Sequence, residues 1–311
     1  MPNASFADQL ALYGPDGAAG STPSLAEAQA YCRRLATSHY ENFVVASLLL
    51  PRRLRTPFYS VYAYCRWADD LADETSDSAR SLELLEWWGE QLRLCYQGQA
   101  THPVFVALAD TVARFAIPAT PFADLLSAFR QDQVKTRYDT AADLLDYCRR
   151  SADPVGRIVL YLGGAFSPER AALSDALCSG LQWANFCQDV AGDWRRGRIY
   201  LPRESLERFG CSEGLFAAER ATPELRRLVL HEVERARGML LAGQPLVALL
   251  PHDLQVDVQM FASGGLAILA EIERRGGDVW NGRPKVSARK QLALLLHAWW
   301  RTRPSRREAR R

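Results

Sequence analysis

Two pairs of aspartates, each pair four residues apart, are the part of this sequence best suited to chemistry. Asp69 and Asp73 lie in YAYCRWADDLADE, while Asp189 and Asp193 lie in NFCQDVAGDW, where Asn185 adds one more helical turn. Residues at i and i+4 share one face of a helix and lie about 6 Å apart along its axis. Each segment therefore predicts a stripe of carboxylates, and we expect a positive group between the two stripes.

The neighbours of both aspartate pairs predict helices that are largely buried. Both segments are apolar over most of their circumference, which is typical of a buried helix and not of a solvated acidic face. A buried carboxylate without a partner is very costly. Lysine is nearly absent from both segments, and the positive charge comes from Arg66 and from the arginines of loop 195–198. A bound metal ion is the compensation that we expect.

The types of the candidate ligands favour magnesium. Oxygen ligands without histidine or cysteine are typical of Mg²⁺, which often completes its coordination with substrate phosphate oxygens. A carboxylate di-iron bundle is the main alternative, but it needs Glu-x-x-His motifs. The five histidines are preceded, three residues earlier, by Ala36, Gln99, Leu228, Leu249 and Leu294. A CxxC zinc motif is also missing, so the pattern indicates Mg²⁺ and a phosphorylated substrate.

The elements that must position these residues are helices. Apolar residues recur at spacings of three and four along most of the chain, and no convincing alternating strand is found. This pattern predicts an all-α protein, with a kink or a turn at 153–156, where Pro154 interrupts the rhythm. The predicted helices are 25–50, 57–74, 81–97, 103–115, 121–132, 141–163, 168–193, 222–248, 254–275 and 287–301.

Composition narrows the classes of protein to which the chain can belong. Its 311 residues carry a net charge of +2, which gives no electrostatic reason to expect a nucleic-acid partner. Seven cysteines without a secretory signal pattern predict reduced thiols in the cytoplasm. No apolar run approaches the length of a transmembrane helix. We expect a flexible leader over 1–24, one helical domain over 25–295 and a basic tail over 296–311.

Four segments carry a resemblance to the squalene and phytoene synthases, and together they span about residues 25–285. YAYCRWADDLAD resembles the first Asp-rich motif of that family, and LQWANFCQDVAGDWRRGRIYLP resembles the second. HYENFVVASLLLPRRLR resembles its N-terminal substrate-binding segment, and LLDYCRRSADPVG resembles the helix that lines its central cavity. The resemblance implies a single-domain isoprenoid-synthase bundle of helices around a central cavity.

The resemblance also implies roles for individual residues. Mg²⁺ ions would be held by Asp69, Asp73, Asn185, Asp189 and Asp193, which are also the expected catalytic residues. Diphosphate would contact Arg66 and Arg198. The isoprenoid channel would be lined by Phe43, Tyr62, Tyr147, Ala152, Gly156 and Gln182. Asp70 lies about 100° around the helix from Asp69, so we expect it to support the ligands without binding metal itself.

Three departures from the family pattern bear on the reaction. Glu41 stands where many relatives have Lys or Arg, while Gln188 and Gly192 stand where phytoene synthases commonly have Arg and Glu. These differences disfavour the condensation of two identical prenyl diphosphates. HYENF, YCRRSADPVG and NFCQDV most resemble the hydroxysqualene synthase branch, a carbon–oxygen lyase of hopanoid biosynthesis. Its implied reaction converts presqualene diphosphate and water into hydroxysqualene and diphosphate.

Alternative functions remain open at the level of sequence. A prenyltransferase would join two farnesyl diphosphates into presqualene diphosphate or squalene, or two geranylgeranyl diphosphates into phytoene. A non-catalytic assembly factor of the same fold is disfavoured by the intact aspartates. The stretch ARKQLALLLHAWWRTRPSRR places Leu and Trp beside Arg, which predicts peripheral contact with the inner face of the membrane. Neighbouring enzymes of squalene synthesis are expected partners.

Overall fold

The computed structural model describes residues 5–17, 21–38, 51–74, 77–287 and 290–291, and within these ranges the secondary structure is helices joined by turns and loops. The described parts contain fifteen helices and, in place of a sheet, one isolated bridge between Arg137 and Ile199. The all-α prediction is therefore confirmed. In chain order the helices are α1 (Phe6–Tyr13), α2 (Leu25–Ser38), α3 (Arg52–Asp73), α4 (Ser78–Tyr96), α5 (Pro103–Phe115), α6 (Thr120–Asp132), α7 (Ala141–Ser151), α8 (Asp153–Leu162), α9 (Pro168–Gln188), α10 (Val190–Arg195), α11 (Arg203–Arg208), α12 (Glu213–Ala217), α13 (Pro223–Gly243), α14 (Leu246–Leu249) and α15 (His252–Arg274).

The helices form two compact units. The first comprises Met1–Val134 with Ile158–Gly164, and the second comprises Lys135–Arg157 with Ala165–Arg311. The predicted division at residues 24 and 295 stays a prediction. The predicted helix over 287–301 and the second half of that over 25–50 lie outside the described residues. Across the described ranges, none of the helices has the length and apolarity needed to cross a membrane.

The first unit is organised around α3, which packs against α2, α4, α5 and α6. Its buried face is aromatic: the rings of Trp67 and Trp88 stack with centroids 5.2 Å apart, and both side chains are fully buried. Tyr64 lies one turn earlier on the same face and donates a hydrogen bond to the Phe122 carbonyl at 2.8 Å. This packing fixes the rotation of α3, and with it the direction of its acidic residues.

Helix α1 lies within residues 1–24, the segment predicted to be a flexible leader. Ser5 and Asp8 form a capping box, in which each side chain bonds the backbone N–H of the other residue. Phe6 then packs edge-on against Trp67 at 5.2 Å, and Gln9 accepts a hydrogen bond from the Tyr31 hydroxyl at 2.6 Å. Residues 6–13 are thus an ordered helix, and the sequence prediction overlooked the short Ser-x-x-Asp start signal.

The second unit is built on close packing of α9 against α13. A Cβ added to Gly243 would lie 2.6 Å from the backbone nitrogen of Leu177, so only glycine allows this approach. Deeper in the same contact, Trp183 donates from Nε1 to the fully buried Glu232 at 2.9 Å. Because a buried carboxylate requires such partners, this bond holds the C-terminal half of α9 in one orientation.

The interruption expected at 153–156 is a turn of one residue. Helix α7 ends at Ser151, Ala152 has φ −122° and ψ −49°, and α8 begins directly at Asp153. Asp153 is 2% exposed and accepts a hydrogen bond from Ser179 at 2.7 Å, which ties the start of α8 to α9. Burial raises the pKa of Asp153 to about 7, although the Ser179 hydrogen bond acts in the opposite direction.

Candidate active site

The first acidic motif lies at the C-terminal end of α3 and is organised by Arg66. The guanidinium forms two hydrogen bonds with the carboxylate of Asp70, one of them from Nε to Oδ2 at 3.0 Å. Its Nη1 atom lies 3.4 Å from Asp69 Oδ2, and its Nη2 atom lies 3.9 Å from Glu74 Oε1. Asp70 is buried, the Asp69 side chain is 47% exposed, and Asp73 is exposed. The motif therefore presents Asp69 and Asp73 outward and keeps Asp70 behind them.

The electrostatics of this motif keep Arg66 charged and oriented. Burial raises the pKa of Asp70 to about 6, while the hydrogen bond and charge of Arg66 oppose the rise. Burial by itself lowers the pKa of Arg66, but the hydrogen bond and charge of Asp70 more than offset that effect, and the pKa is raised. A two-point arginine–carboxylate pair also fixes the plane of the guanidinium. Sequence reasoning placed Asp70 in support but missed its direct bond to Arg66, an i,i+4 pair.

The second acidic motif spans the junction between α9 and α10. The backbone leaves helical geometry at Asp189, with φ −103° and ψ 12°. Helical hydrogen bonds nevertheless continue through it, from Asp189 N to Asn185 O at 2.9 Å and from Asp193 N to Asp189 O at 2.8 Å. The i,i+4 spacing of these residues is thus preserved across a local distortion. Asn185 is exposed, Asp189 is half-buried and Asp193 is buried.

Arg283 is the residue of this site that sequence reasoning missed. Its Nε and Nη2 atoms both bind the Asp189 carboxylate, the latter at 2.7 Å. Nη2 also lies 3.4 Å from Asn185 Oδ1 and 3.2 Å from Gln188 Oε1. Gln188 in turn donates to the carbonyl of Pro284. Because Arg283 follows Asp189 by 94 residues, no local spacing pattern could have linked the two.

The basic loop after α10 is held by Asp193 and Arg137. Asp193 Oδ1 accepts a hydrogen bond from Arg196 Nη2 at 2.6 Å, and its carbonyl accepts one from the Arg198 backbone at 2.9 Å. Arg137 donates to the carbonyl of Gly197 at 2.7 Å. Burial raises the pKa of Asp193, and the Arg196 hydrogen bond counters it. The predicted diphosphate ligand Arg198 therefore extends from a loop with a fixed backbone.

Aromatic rings cluster beside the second motif. Tyr147 of α7 lies 5.9 Å from Tyr200 and 6.2 Å from Phe186 of α9, and Phe186 stacks on Tyr200 at 4.2 Å. Tyr138 completes the cluster, 5.7 Å from Tyr200. Sequence reasoning named Tyr147 but missed Tyr138 and Tyr200, although the latter lies in the RRGRIYLP segment. All four side chains are buried, and together they form an aromatic cluster.

The remaining predicted channel residues are found in different settings. Gly156 has a packing reason to be glycine, because an added Cβ would lie 2.3 Å from Ser174 Oγ and 2.6 Å from Cys178 Sγ. Tyr62 and Gln182 are half-buried on α3 and α9. Ala152 is the hinge residue between α7 and α8. Phe43 lies outside the described residues. Their role as a channel lining stays a prediction.

The donor set of the second motif fits a hard cation. Oxygens of Asn185 and Asp189 converge on one positive group, the Arg283 guanidinium, and Asp193 continues the face one turn further. Carboxylate and amide oxygens are the ligands that Mg²⁺ accepts. Over the described parts of the chain, no three His, Cys, Asp or Glu side chains are grouped closely enough to hold a metal by themselves. The predicted Mg²⁺ would therefore share its coordination with the Asn185 amide, water or substrate oxygens.

Comparison with known proteins agrees with this geometry. The family model described as squalene/phytoene synthase matches residues 36–290. A hydroxysqualene synthase from Rhodopseudomonas palustris is 37% identical over 214 residues, which cover 68% of this chain and 72% of that protein. A phytoene synthase from Arthrospira platensis is 32% identical over 285 residues, which cover 88% and 92% of the two chains. Relatives with different reactions are thus similar to most of the sequence.

A solved structure extends the similarity to the fold. The squalene synthase HpnC from Alicyclobacillus acidocaldarius has a TM-score of 0.78 and 48% identity, and the match covers 81% of this chain and 95% of that one. A dehydrosqualene synthase solved with a ligand has a TM-score of 0.80 and 26% identity. These matches identify the helical architecture as the isoprenoid-synthase fold. With the family model matching residues 36–290, the chain belongs to the squalene/phytoene synthase family.

Proposed function

We propose that the protein acts on presqualene diphosphate, ionises it with the help of Mg²⁺, and captures the resulting cation with water to give hydroxysqualene and diphosphate. The enzymes of its family act on prenyl diphosphates, which supports the substrate class. While the 48% identical HpnC is described as a squalene synthase, the 37% identical hydroxysqualene synthase supports this branch of the family. The departures at Glu41, Gln188 and Gly192 point the same way.

The observation that carries the proposal is the cluster of Asn185, Gln188 and Asp189 around Arg283. Four side chains that can bind a cation or an anion meet there, and they come from segments that sequence spacing alone does not connect. When bound, Mg²⁺ would neutralise the negative charge that grows on the leaving diphosphate as its C–O bond breaks. Asn185, Asp189 and Asp193 would hold it on this motif.

The first motif would supply matching contacts. Asp69 and Asp73 project outward and would bind Mg²⁺, while Arg66 would contact diphosphate oxygens in the plane that Asp70 sets. Arg198 would add a further positive charge as diphosphate departs. Each of these groups acts on the leaving group, which is the part of the substrate on which charge develops.

The hydrocarbon cation would be stabilised by aromatic faces. The quadrupole of an aromatic ring attracts a cation that lies within about 6 Å of its centre. Tyr147, Phe186 and Tyr200 provide such rings beside the second motif. Bond making then consumes one water, whose oxygen bonds to the cationic carbon and whose proton is released.

Head-to-head condensation is the alternative reaction. It is favoured by the phytoene synthase from Arthrospira platensis, which is similar over 92% of its own length. In that case the protein would be a prenyltransferase that joins two farnesyl or two geranylgeranyl diphosphates. Product analysis with each diphosphate separates the two reactions, because the lyase forms hydroxysqualene from presqualene diphosphate, whereas the prenyltransferase consumes farnesyl or geranylgeranyl diphosphate.

Replacement of one aspartate in each motif tests the site. We expect Asp69→Asn and Asp189→Asn each to lower Mg²⁺-dependent diphosphate release by at least about 100-fold, because each removes charge that stabilises the transition state. Asp146→Asn is the matched control, since Asp146 is exposed and pairs with Arg150 on the surface of α7. Release that survives both substitutions at the wild-type rate would remove the proposed site. Cytoplasmic location, peripheral membrane contact and association with neighbouring enzymes of squalene synthesis stay predictions.

A further inference from the structure

Two adjacent glycines interrupt the middle of α15, and only one of them has a packing reason. Glycine within a helix loses more conformational entropy on folding than alanine, so each position calls for an explanation. A Cβ added to Gly265 would lie 2.7 Å from Leu181 and 3.1 Å from Leu240, so this glycine permits helix packing. A Cβ added to Gly264 would meet no atom of the described residues within 4 Å. The packing of the described helices therefore does not account for Gly264.

The space beside Gly264 is a groove of about 250 Å³ between α9 and α15. Its walls are apolar and include Leu181, Ala184 and Ile268. Phe261 also lines it and is 53% exposed, an unusual setting for a ring of that size. A groove with such walls is suited to a hydrocarbon.

The groove also has polar side chains, and they belong to the second acidic motif. Asn185 and Gln188 line it near the C-terminal end of α9. Both side chains lie within hydrogen-bond distance of Arg283, which is paired with Asp189. A ligand with an apolar chain and an anionic group would match an apolar wall that ends at an arginine. A prenyl diphosphate has that combination.

We propose that Gly264 is a specificity-determining residue, whose missing side chain keeps room for the hydrocarbon that follows the diphosphate. This inference rests on the proposed function for the substrate class, but it concerns a residue of α15 and not the aspartates. Alanine is the better helix former, so a glycine within a helix costs stability. The same cost applies to Gly238, and what distinguishes Gly264 is that it lines the groove that ends at Asn185 and Gln188.

Comparison of Gly264 with Gly238 separates function from helix propensity. Gly238 lies within α13 and is exposed, and a Cβ added there would also lie more than 4 Å from its neighbours in the described part of the chain. Gly264→Ala and Gly238→Ala are each expected to raise the Tm by about 2 °C. Gly238→Ala should leave ligand binding unchanged. Gly264→Ala should weaken the binding of a prenyl ligand even though it stabilises the fold.

The binding test uses two probes, each in the presence of Mg²⁺. Inorganic diphosphate reports on the polar groups, and a non-ionisable farnesyl thiodiphosphate reports on the polar groups together with the groove. We expect Gly264→Leu to weaken the binding of the farnesyl probe by at least about tenfold, and Gly264→Ala to weaken it by about threefold. Inorganic diphosphate should bind all variants within about twofold of the wild type. Calorimetry on the full chain gives both dissociation constants.

The outcomes distinguish this inference from the function on which it rests. A wild-type protein that binds neither probe overturns the proposed function and the role of Gly264 together. A wild-type protein that binds both probes supports the prenyl diphosphate substrate class on which the inference rests. If Gly264→Leu then weakens the binding of neither probe, or of both probes equally, only the role of Gly264 is overturned. If Gly264→Leu lacks the wild-type circular dichroism, Gly264→Ala decides by the same comparison.

Discussion

Arg283 forms a two-point ion pair with Asp189, in which Nη2 lies 2.7 Å from Oδ2 and Nε donates to Oδ1. The same guanidinium lies within hydrogen-bond distance of Asn185 and Gln188. Arg283 therefore binds the oxygens of two residues that the family resemblance assigns to Mg²⁺. If Mg²⁺ binds as proposed, we expect the arginine and the metal to compete for those oxygens when no substrate is present.

This competition predicts the effect of Arg283→Gln on metal affinity. The variant keeps a polar side chain but removes the positive charge, so Asp189 and Asn185 become available to the metal. The pair is partly exposed, with 49% of the Arg283 side chain accessible, so its contribution is modest. We expect Mg²⁺ to bind about 2- to 5-fold more tightly in calorimetry without substrate.

Arg274→Gln is the matched control for that measurement. Arg274 forms the same kind of two-point pair with Glu271 in the same unit, at 2.8 and 2.6 Å, and these hydrogen bonds involve neither acidic motif. Its loss should leave Mg²⁺ affinity unchanged. A Mg²⁺ affinity that is unchanged or weaker in Arg283→Gln would show that the two cations do not compete.

The raised pKa of Asp70 predicts that activity falls at acidic pH. Its pKa is raised to about 6 by burial, so the carboxylate gains a proton as the pH falls through that value and loses one acceptor for Arg66. Arg66 then leaves the orientation that diphosphate binding requires. The kcat/KM of the wild type should fall by about tenfold per pH unit below about pH 6.

Asp70→Asn should abolish this fall of activity below about pH 6. The amide cannot accept both guanidinium hydrogen bonds at any pH, so we expect a rate about tenfold lower than the wild type that no longer changes near pH 6. A merely structural role for Asp70 would not shift the pH profile. If kcat/KM of the variant still falls below about pH 6 as in the wild type, another group causes that fall and Asp70 does not position Arg66.

The raised pKa of Asp153 predicts that the free energy of unfolding depends on pH. Its folded pKa of about 7 lies above the unfolded value of 3.8, so between those values the folded state binds more protons and loses stability as the pH rises. The loss should reach about 2–3 kcal/mol between about pH 5 and pH 8. Asp153→Asn keeps an oxygen acceptor for Ser179 and removes the titration.

Denaturant titrations across that pH range test this directly. The free energy of unfolding of Asp153→Asn should be flatter with pH than that of the wild type. Asp146→Asn, which alters an exposed carboxylate, should follow the wild type. Parallel profiles for Asp153→Asn and the wild type would mean that Asp153 does not titrate in this range.

The sequence predicted the helices well where the signal is periodic. The predicted helix over 103–115 coincides with α5, and that over 168–193 corresponds to α9 and α10 with a distortion at Asp189. Helix α1 was missed because its eight residues are too short for a periodic signal, and its stability comes from a cap and from Phe6 packing on Trp67. Such tertiary contacts are not visible in local sequence.

The candidate site was predictable only in its local parts. Asp69 and Asp73 follow from helix spacing, and the distances along the chain fix them on one face. Arg283 and Gly264 do not follow from spacing, because their significance depends on contacts with a helix about 80 to 100 residues earlier. Packing of α15 against α9 creates these contacts, and only the fold reveals them.

Incubation of the purified protein with presqualene diphosphate and Mg²⁺ in isotopically labelled water tests the central claim most directly. Mass spectrometry should find hydroxysqualene that carries the labelled oxygen, formed in equal amount with diphosphate, without any reductant. Presqualene diphosphate that is left untouched while farnesyl diphosphate is consumed would contradict the account and assign the protein to the condensing branch of its family.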